Sequence, residues 1–352
     1  MTYQEQYQAW LNNPAIDPAD KKVLQTMSAT EIKESFYQDI DFGTGGLRGL
    51  MGLGTNRINV YIIRKVTQGL ADYLKSTPDF KKGVAISYDN RYNSQVFARE
   101  AAEVLAANGI PSYVFNELRP TPMLSYAVRY FKAAAGIMIT ASHNPKAYNG
   151  YKVYNQTGAQ LNPVESNQMI EYVNQVKDLF TVKRVSNDLI TIIDDSFDTI
   201  YLKEVDKIKI NDVAKKAKIV YSPLHGTGGT VIPKLLKMHG YEVYPLASQM
   251  VVDPAFPNTL SSNPEEAKAY IESVKYAKTI DADIILVTDP DADRLGVAVK
   301  VGAEYQLLTG NQTASIMLEY LLKYKKPKQG FVFTTVVTSD LIKNIALKHH
   351  HL

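Results

Sequence analysis

Three aspartates, Asp289, Asp291 and Asp293, occupy alternate positions of TDPDADRLG (288–296), directly behind the apolar run DIILV. Carboxylates this close repel: two unit charges ~4 Å apart cost roughly 4 kcal/mol at an effective dielectric near 20. A divalent cation at their centre reverses that sign, and an all-oxygen donor set suits Mg²⁺ or Mn²⁺. An EF-hand would need glycine where Arg294 stands and glutamate where Lys300 stands, so that reading fails. A solvated acidic turn shares the spacing. Location favours the metal, because carboxylates behind an apolar strand lie where an α/β sheet opens its ligand crevice.

A second strand-end stretch is TASHNPKAYNGYK (140–152), after the run AAGIMI. Ser142 would belong to the same kind of crevice. It is not the elbow of a hydrolase, since Thr140 and Asn144 stand where G-x-S-x-G requires glycines. His143 is adjacent, and a sequence neighbour ordinarily points away. Ser142 and Asn144 could simply cap a turn before Pro145. Against that, Lys152 follows in a glycine-hinged segment that could bring an amine back over the serine.

The third stretch is FGTGGLRG (42–49), where Arg48 takes the place of the last glycine of G-x-G-x-x-G. The loop, Gly45 included, could offer backbone N–H groups to a phosphate while Arg48 adds a bidentate guanidinium. HGTGG (225–229) is similar in kind, but a tight strand-to-helix turn explains it better.

The elements that would carry these loops alternate. Helices are expected near 58–76, 94–108, 122–131, 230–239, 265–280 and 339–349. Strands are expected at GVAISYD (83–89), SYVFN, AAGIMIT (134–140), the run opening AKIVYS, YEVYPL, the run opening ADIILV and GFVFTTVV (330–337). Short apolar runs between amphipathic helices argue for α/β architecture in at least two units. The first forty residues read as polar helices: Asp17 precedes Pro18 as N-cap and N1, and SATE (28–31) fits a capping box.

Composition narrows the class. Of 352 residues 45% are hydrophobic and 21% charged, with 39 basic against 36 acidic side chains, net +3. That balance offers no argument for nucleic acid or membrane partners. There is no cysteine, hence no disulfide or thiolate chemistry. The start lacks a secretory pattern and no run approaches a membrane span, so a soluble cytoplasmic protein is expected.

Together and in this order, TASHNP, DPDADR, GTGGLR, NGYKVY and LTGNQ resemble the α-D-phosphohexomutases, most of all the bacterial phosphoglucomutase/phosphomannomutase branch. The resemblance implies repeated α/β/α domains, each with a mixed four-stranded sheet between helices. It divides the chain into a helical extension (1–40), domain I with the phosphoserine loop (41–205), domain II with the metal loop (206–308) and the start of domain III (309–352). A fourth domain would be absent, and the terminal His run is taken as native.

The resemblance also implies the roles. Ser142 carries the phosphoryl group. Asp289, Asp291 and Asp293 hold Mg²⁺, with the Ser142 phosphate as a further ligand. Arg294 and Arg48 stabilise the transferring group, with Gly45 and Asn144 in the phosphate-binding set. Lys152 and His143 move protons to and from the sugar hydroxyls. The reaction would interconvert hexose 1-phosphate and hexose 6-phosphate, glucose first, through glucose 1,6-bisphosphate. Phosphomannomutase and phosphopentomutase activities stay open, as does a non-catalytic metal-binding fragment. A metal-dependent phosphatase would leave no stable phosphoserine. The expected partners are sugar phosphates, with a monomer favoured slightly. Lacking the later domains, this chain is expected to turn over poorly alone.

Overall fold

Local signals set the first three helices of the computed structural model, which describes residues 1–43, 45–211, 213, 215–325 and 330–349. Thr2 and Glu5 form a capping box on α1 (Tyr3–Asn12), Asp17 caps α2 (Pro18–Thr26) ahead of Pro18, and Ser28 with Glu31 opens α3 (Ala29–Phe36). Each cap satisfies N–H groups that a helix start leaves without partners. The helices bury Trp10, Leu24 and Phe36 with Leu53 and Tyr61. Trp10 meets Phe36, Tyr61 and Phe180 edge-on at 5.5, 5.4 and 5.3 Å between ring centroids.

The chain divides into two units, Met1–Phe197 with Asp253–Ala255, and Asp198–Val252 with Phe256–Leu352. In the first, the strands are β1 (Phe42–Gly43), β2 (Gly46–Leu50), β3 (Val84–Tyr88), β4 (Ser112–Phe115), β5 (Ala135–Ile139), β6 (Tyr148–Asn155) and β7 (Ile190–Ile193). They form one sheet in the order β1-β2-β6-β5-β3-β4-β7. β5, β3, β4 and β7 are parallel, whereas β6 runs antiparallel to both β5 and β2. β3 and β5 are buried throughout, as parallel strands covered on both faces should be. Helices α4 (Val60–Lys75), α5 (Ser94–Ala107) and α7 (Pro163–Gln175) cover one face with Ile137, Ile139, Tyr151 and Val153. Helix α6 (Thr121–Tyr130) covers the other. There Gly136 admits Val128 so closely that an added Cβ would stand 2.6 Å from it.

After α8 (Ser196–Asp206), the second unit contains β8 (Lys218–Ser222), α9 (Ile232–Met238), β9 (Glu242–Pro245), α10 (Ala247–Met250), α11 (Ile271–Ile280), β10 (Ile284–Thr288), β11 (Leu295–Val301) and β12 (Glu304–Leu308). The sheet order is β12-β11-β10-β8-β9, with β10 and β9 parallel to β8 and β11 antiparallel to its neighbours. Val220, Ile285, Val287, Ala298 and Ala277 of α11 form its core. α12 (Gly310–Lys325) and α13 (Asp340–Lys348) pack together, with Glu319 paired to Lys348 and His349 at 3.1 and 3.0 Å.

Two expectations are corrected. The sheets hold seven and five strands instead of four; in the first, NGYKVY is strand β6 and joins the glycine-loop hairpin to the parallel core. Gly150 makes the junction possible: a Cβ there would stand 2.6 Å from the carbonyl oxygens of both Leu47 and Thr140. GFVFTTVV forms no strand among the described residues, and Phe331 and Phe333 are 80% and 90% exposed. An apolar run becomes a strand only beside an edge that accepts its hydrogen bonds. His350 and His351 lie outside the described residues. Among the described residues no helix is long and apolar enough to cross a membrane.

Candidate active site

In the first unit the serine loop leaves the C-terminal end of β5. Ser142 has φ +51°, the left-handed region that non-glycine residues enter rarely. Its N–H donates to Thr140 Oγ1 at 2.7 Å, and the Thr140 hydroxyl donates to Asp89 Oδ2 at 2.7 Å. The turned backbone overrides the usual divergence of sequence neighbours, so His143 Nδ1 lies 3.2 Å from Ser142 Oγ. Arg48 donates from Nη1 to Asn144 Oδ1 at 2.9 Å. Arg48, Ser142, His143 and Asn144 therefore gather at one strand end.

Lys152 reaches the same face by register. On β6 it sits opposite Gly46 of β2 and Met138 of β5, while Arg48 sits opposite Gly150. Side chains two apart share a face, so Arg48, Lys152 and Thr140 all stand on the α6 side of the sheet. Lys152 is buried, with 7% of its surface exposed. Gly45 is placed differently from the sequence expectation. With φ +75° it turns β1 into β2, and its N–H donates to Ser166 Oγ of α7 at 3.0 Å.

The residues that sequence reasoning missed are Asp89 and Arg91, just past β3. The Arg91 Nε lies 3.2 Å from Asp89 Oδ2, with both side chains wholly buried. Arg91 Nη1 donates to the carbonyls of Pro145 and Tyr148 at 2.9 and 3.0 Å, and Nη2 to those of Ser142, at 2.7 Å, and Asn144. Asp89 also accepts from the Arg91 N–H and the Ser94 hydroxyl at 2.9 and 2.8 Å. Burial pushes its carboxyl up, and the Arg91 charge with these hydrogen bonds pulls the other way. The available signal was YDNRYNS, an acid and an arginine directly behind a buried strand.

In the second unit Asp289 follows β10 immediately. One carboxylate oxygen from each of Asp289, Asp291 and Asp293 lies within 4.8 Å of the others; the first two residues are buried and the third exposed. Ala292, at φ +53°, turns the loop and donates its N–H to the Asp289 carbonyl at 3.0 Å. The Arg294 N–H donates to Asp289 Oδ1 at 3.0 Å, while its guanidinium pairs with Glu265 at 3.5 Å. HGTGG is a tight turn after β8 and also the floor of this loop. Thr227 donates from its N–H and hydroxyl to the Pro290 carbonyl at 2.8 and 3.0 Å. Two buried carboxylates and one exposed, all oxygen donors, fit a hard divalent cation.

Layered α/β units with polar side chains gathered beyond the strand ends define an α/β protein whose candidate ligand sites lie there. Residues 39–179 match the phosphoglucomutase/phosphomannomutase alpha/beta/alpha domain I, and residues 199–302 match domain II of the same family. The chain belongs to the α-D-phosphohexomutase superfamily. It is 35% identical to a phosphoglucomutase of Staphylococcus haemolyticus over 92% of this chain and 60% of that protein. To one of Staphylococcus epidermidis it is 36% identical, over 97% and 64%. The crystal structure of a candidate phosphomannomutase from Thermus thermophilus shares the fold, with TM-score 0.74 at 22% identity, over 88% of this chain and 67% of that one. The chain thus spans about three fifths of the curated relatives it matches.

Proposed function

We propose that this chain carries the phosphoserine and metal-binding parts of a phosphosugar mutase that interconverts hexose 1-phosphate and hexose 6-phosphate through a 1,6-bisphosphate. The observation that carries the reading is the Asp289, Asp291 and Asp293 cluster behind β10, in a chain of this superfamily. Glucose is placed first among the sugars because the relatives at 35% and 36% identity are named phosphoglucomutases.

Ser142 Oγ is the phosphoryl carrier. In the forward step the bond between phosphorus and Ser142 Oγ breaks and one from phosphorus to a sugar hydroxyl oxygen forms. The hydroxyl proton passes to a basic side chain, with Lys152 first and His143 second, and Ser142 Oγ regains a proton. Arg48 balances negative charge on the transferring group and holds Asn144. Gly45 shapes the turn that presents Arg48. Arg294 sits at the rim of the acidic loop as a second cation for phosphate. Asp289, Asp291 and Asp293 would hold Mg²⁺, which supplies charge neutralisation. Phosphoryl transfer asks mainly for positioning and such neutralisation.

Incubation with glucose 1,6-bisphosphate and MgCl₂, read by intact mass, tests this. One added phosphate, lost in Ser142→Ala, supports it; an unmodified wild-type chain rejects it. Uptake is the right assay, because it reads the phosphoryl group on Ser142 directly.

A further inference from the structure

The buried Arg91 guanidinium collects the carbonyls of Ser142, Asn144, Pro145 and Tyr148 from a single side chain rooted beyond β3. A turn of this length can close on local N–H groups without an ion, and a buried ion pair is weak evidence for stability by itself. Its orientation points to a different use. The peptide unit is planar and trans, so each C=O opposes the N–H of the next residue. Turning the Ser142 and Pro145 carbonyls inward to Arg91 turns the His143 and Lys146 N–H groups outward. Ser142 itself is left-handed at φ +51°, and its own N–H is engaged by Thr140 Oγ1 at 2.7 Å, so the N–H groups that the brace turns outward are those of His143 and Lys146.

We propose that Arg91 is a positioning residue: it holds the serine loop by its carbonyl side, so that the N–H side faces a phosphoryl group on Ser142 Oγ, and Asp89 fixes the guanidinium. The inference rests on the phosphoserine reading above and extends it. A phosphoserine carries about −1.5 to −2 charge near neutral pH. Carbonyl oxygens aimed at it would repel it, and Arg91 keeps those of residues 142, 144 and 145 turned away.

The test uses the whole chain as Arg91→Ala, Arg91→Lys and Asp89→Asn, measuring the rate of phosphate uptake on Ser142 from glucose 1,6-bisphosphate. Losing the brace should slow uptake roughly ten- to a hundredfold, about the effect of one hydrogen bond to a charged group. Lysine keeps the charge without the planar fork and should remain slow. Millimolar guanidinium should restore Arg91→Ala, and ammonium should not. Mn²⁺ affinity of the acidic loop should stay at the wild-type value. Should Arg91→Ala fail to fold, Arg91→Lys and Asp89→Asn decide. Wild-type uptake rates in the variants overturn this inference while leaving the mutase reading intact. A wild-type chain that takes up no phosphate overturns both.

Discussion

Gly226 lies against Pro290 so closely that a Cβ at 226 would stand 2.4 Å from both the Cα and the carbonyl oxygen of Pro290. Its φ of −95° is open to any residue, so proximity demands glycine there. The HGTGG turn therefore sets the height of the loop that carries Asp289 and Asp291.

Gly226→Ala must push Pro290 away. Overpacking of this kind costs about 1–3 kcal/mol, and the displacement should weaken divalent-ion binding. Thermal melts and a Mn²⁺ titration followed by electron paramagnetic resonance check this. Gly310→Ala, with open space around its Cβ, is the control. Unchanged Mn²⁺ affinity in Gly226→Ala would refute the role of the turn.

Asp291→Asn should abolish metal-linked stabilisation. An ion at one hundred times its dissociation constant adds about 2.7 kcal/mol to a protein that binds it only when folded. Wild-type protein should melt higher in MgCl₂ than in EDTA, and the variant should melt alike in both. In EDTA the variant should be no less stable than wild type, because one of the crowded charges is gone. An Mg²⁺ response retained by the variant contradicts the assignment.

Lys152→Met should slow phosphoryl transfer in both directions, because uptake from the bisphosphate is the reverse of transfer to a hexose phosphate. The side chain is buried on β6, the strand between β2 and β5, and methionine keeps its length and packing while removing the amine. General acid–base groups typically contribute 10²–10⁴-fold. Transfer of a labelled phosphoryl group from Ser142 to a hexose phosphate should slow by about that factor, with the melting temperature close to wild type. Equal transfer rates would assign the proton to another group.

Alkaline pH should loosen the amino-terminal helices. Burial pushes the Tyr61 phenol up to about 12 from 10.0; the Asp17 N–H opposes this, and the Asp20 carboxylate adds to it. The phenol accepts from Asp17 at 2.9 Å and donates to Asp20 at 2.8 Å. A folded-state pKa raised above the unfolded one stabilises fully below pH ~10, and that contribution disappears as pH rises through ~12. Denaturant melts at intervals across that window should fall less steeply for Tyr61→Phe than for wild type. Tyr151, Tyr221 and Tyr270 are also raised, so the difference between the two proteins is the measured quantity. Parallel curves would contradict the prediction.

Ser142 and the acidic trio were legible in the sequence for a local reason. Each stands directly behind an apolar run, and a strand end in an α/β sheet is where ligands enter. The Ser28–Glu31 capping box was legible for the same reason, since the two residues satisfy each other within one turn. Gly45 was harder to read. Its N–H is taken by Ser166, 121 residues later, and nothing near FGTGG announces that partner.

Residue types and short spacings determined which chemistry the chain could hold: a strand-end serine, an oxygen-donor cluster, an arginine in a glycine loop. Only the tertiary structure decided how these are held. Lys152 reaches the face of Arg48 through the β2–β6 register, and Arg91 grips the serine loop across 51 to 57 residues of sequence. GFVFTTVV has every local mark of a strand and forms none among the described residues. The physical reason is common to all three: side-chain type and periodicity act within a few residues, whereas hydrogen-bond partners for buried charges and strand edges come from wherever the sheet brings them.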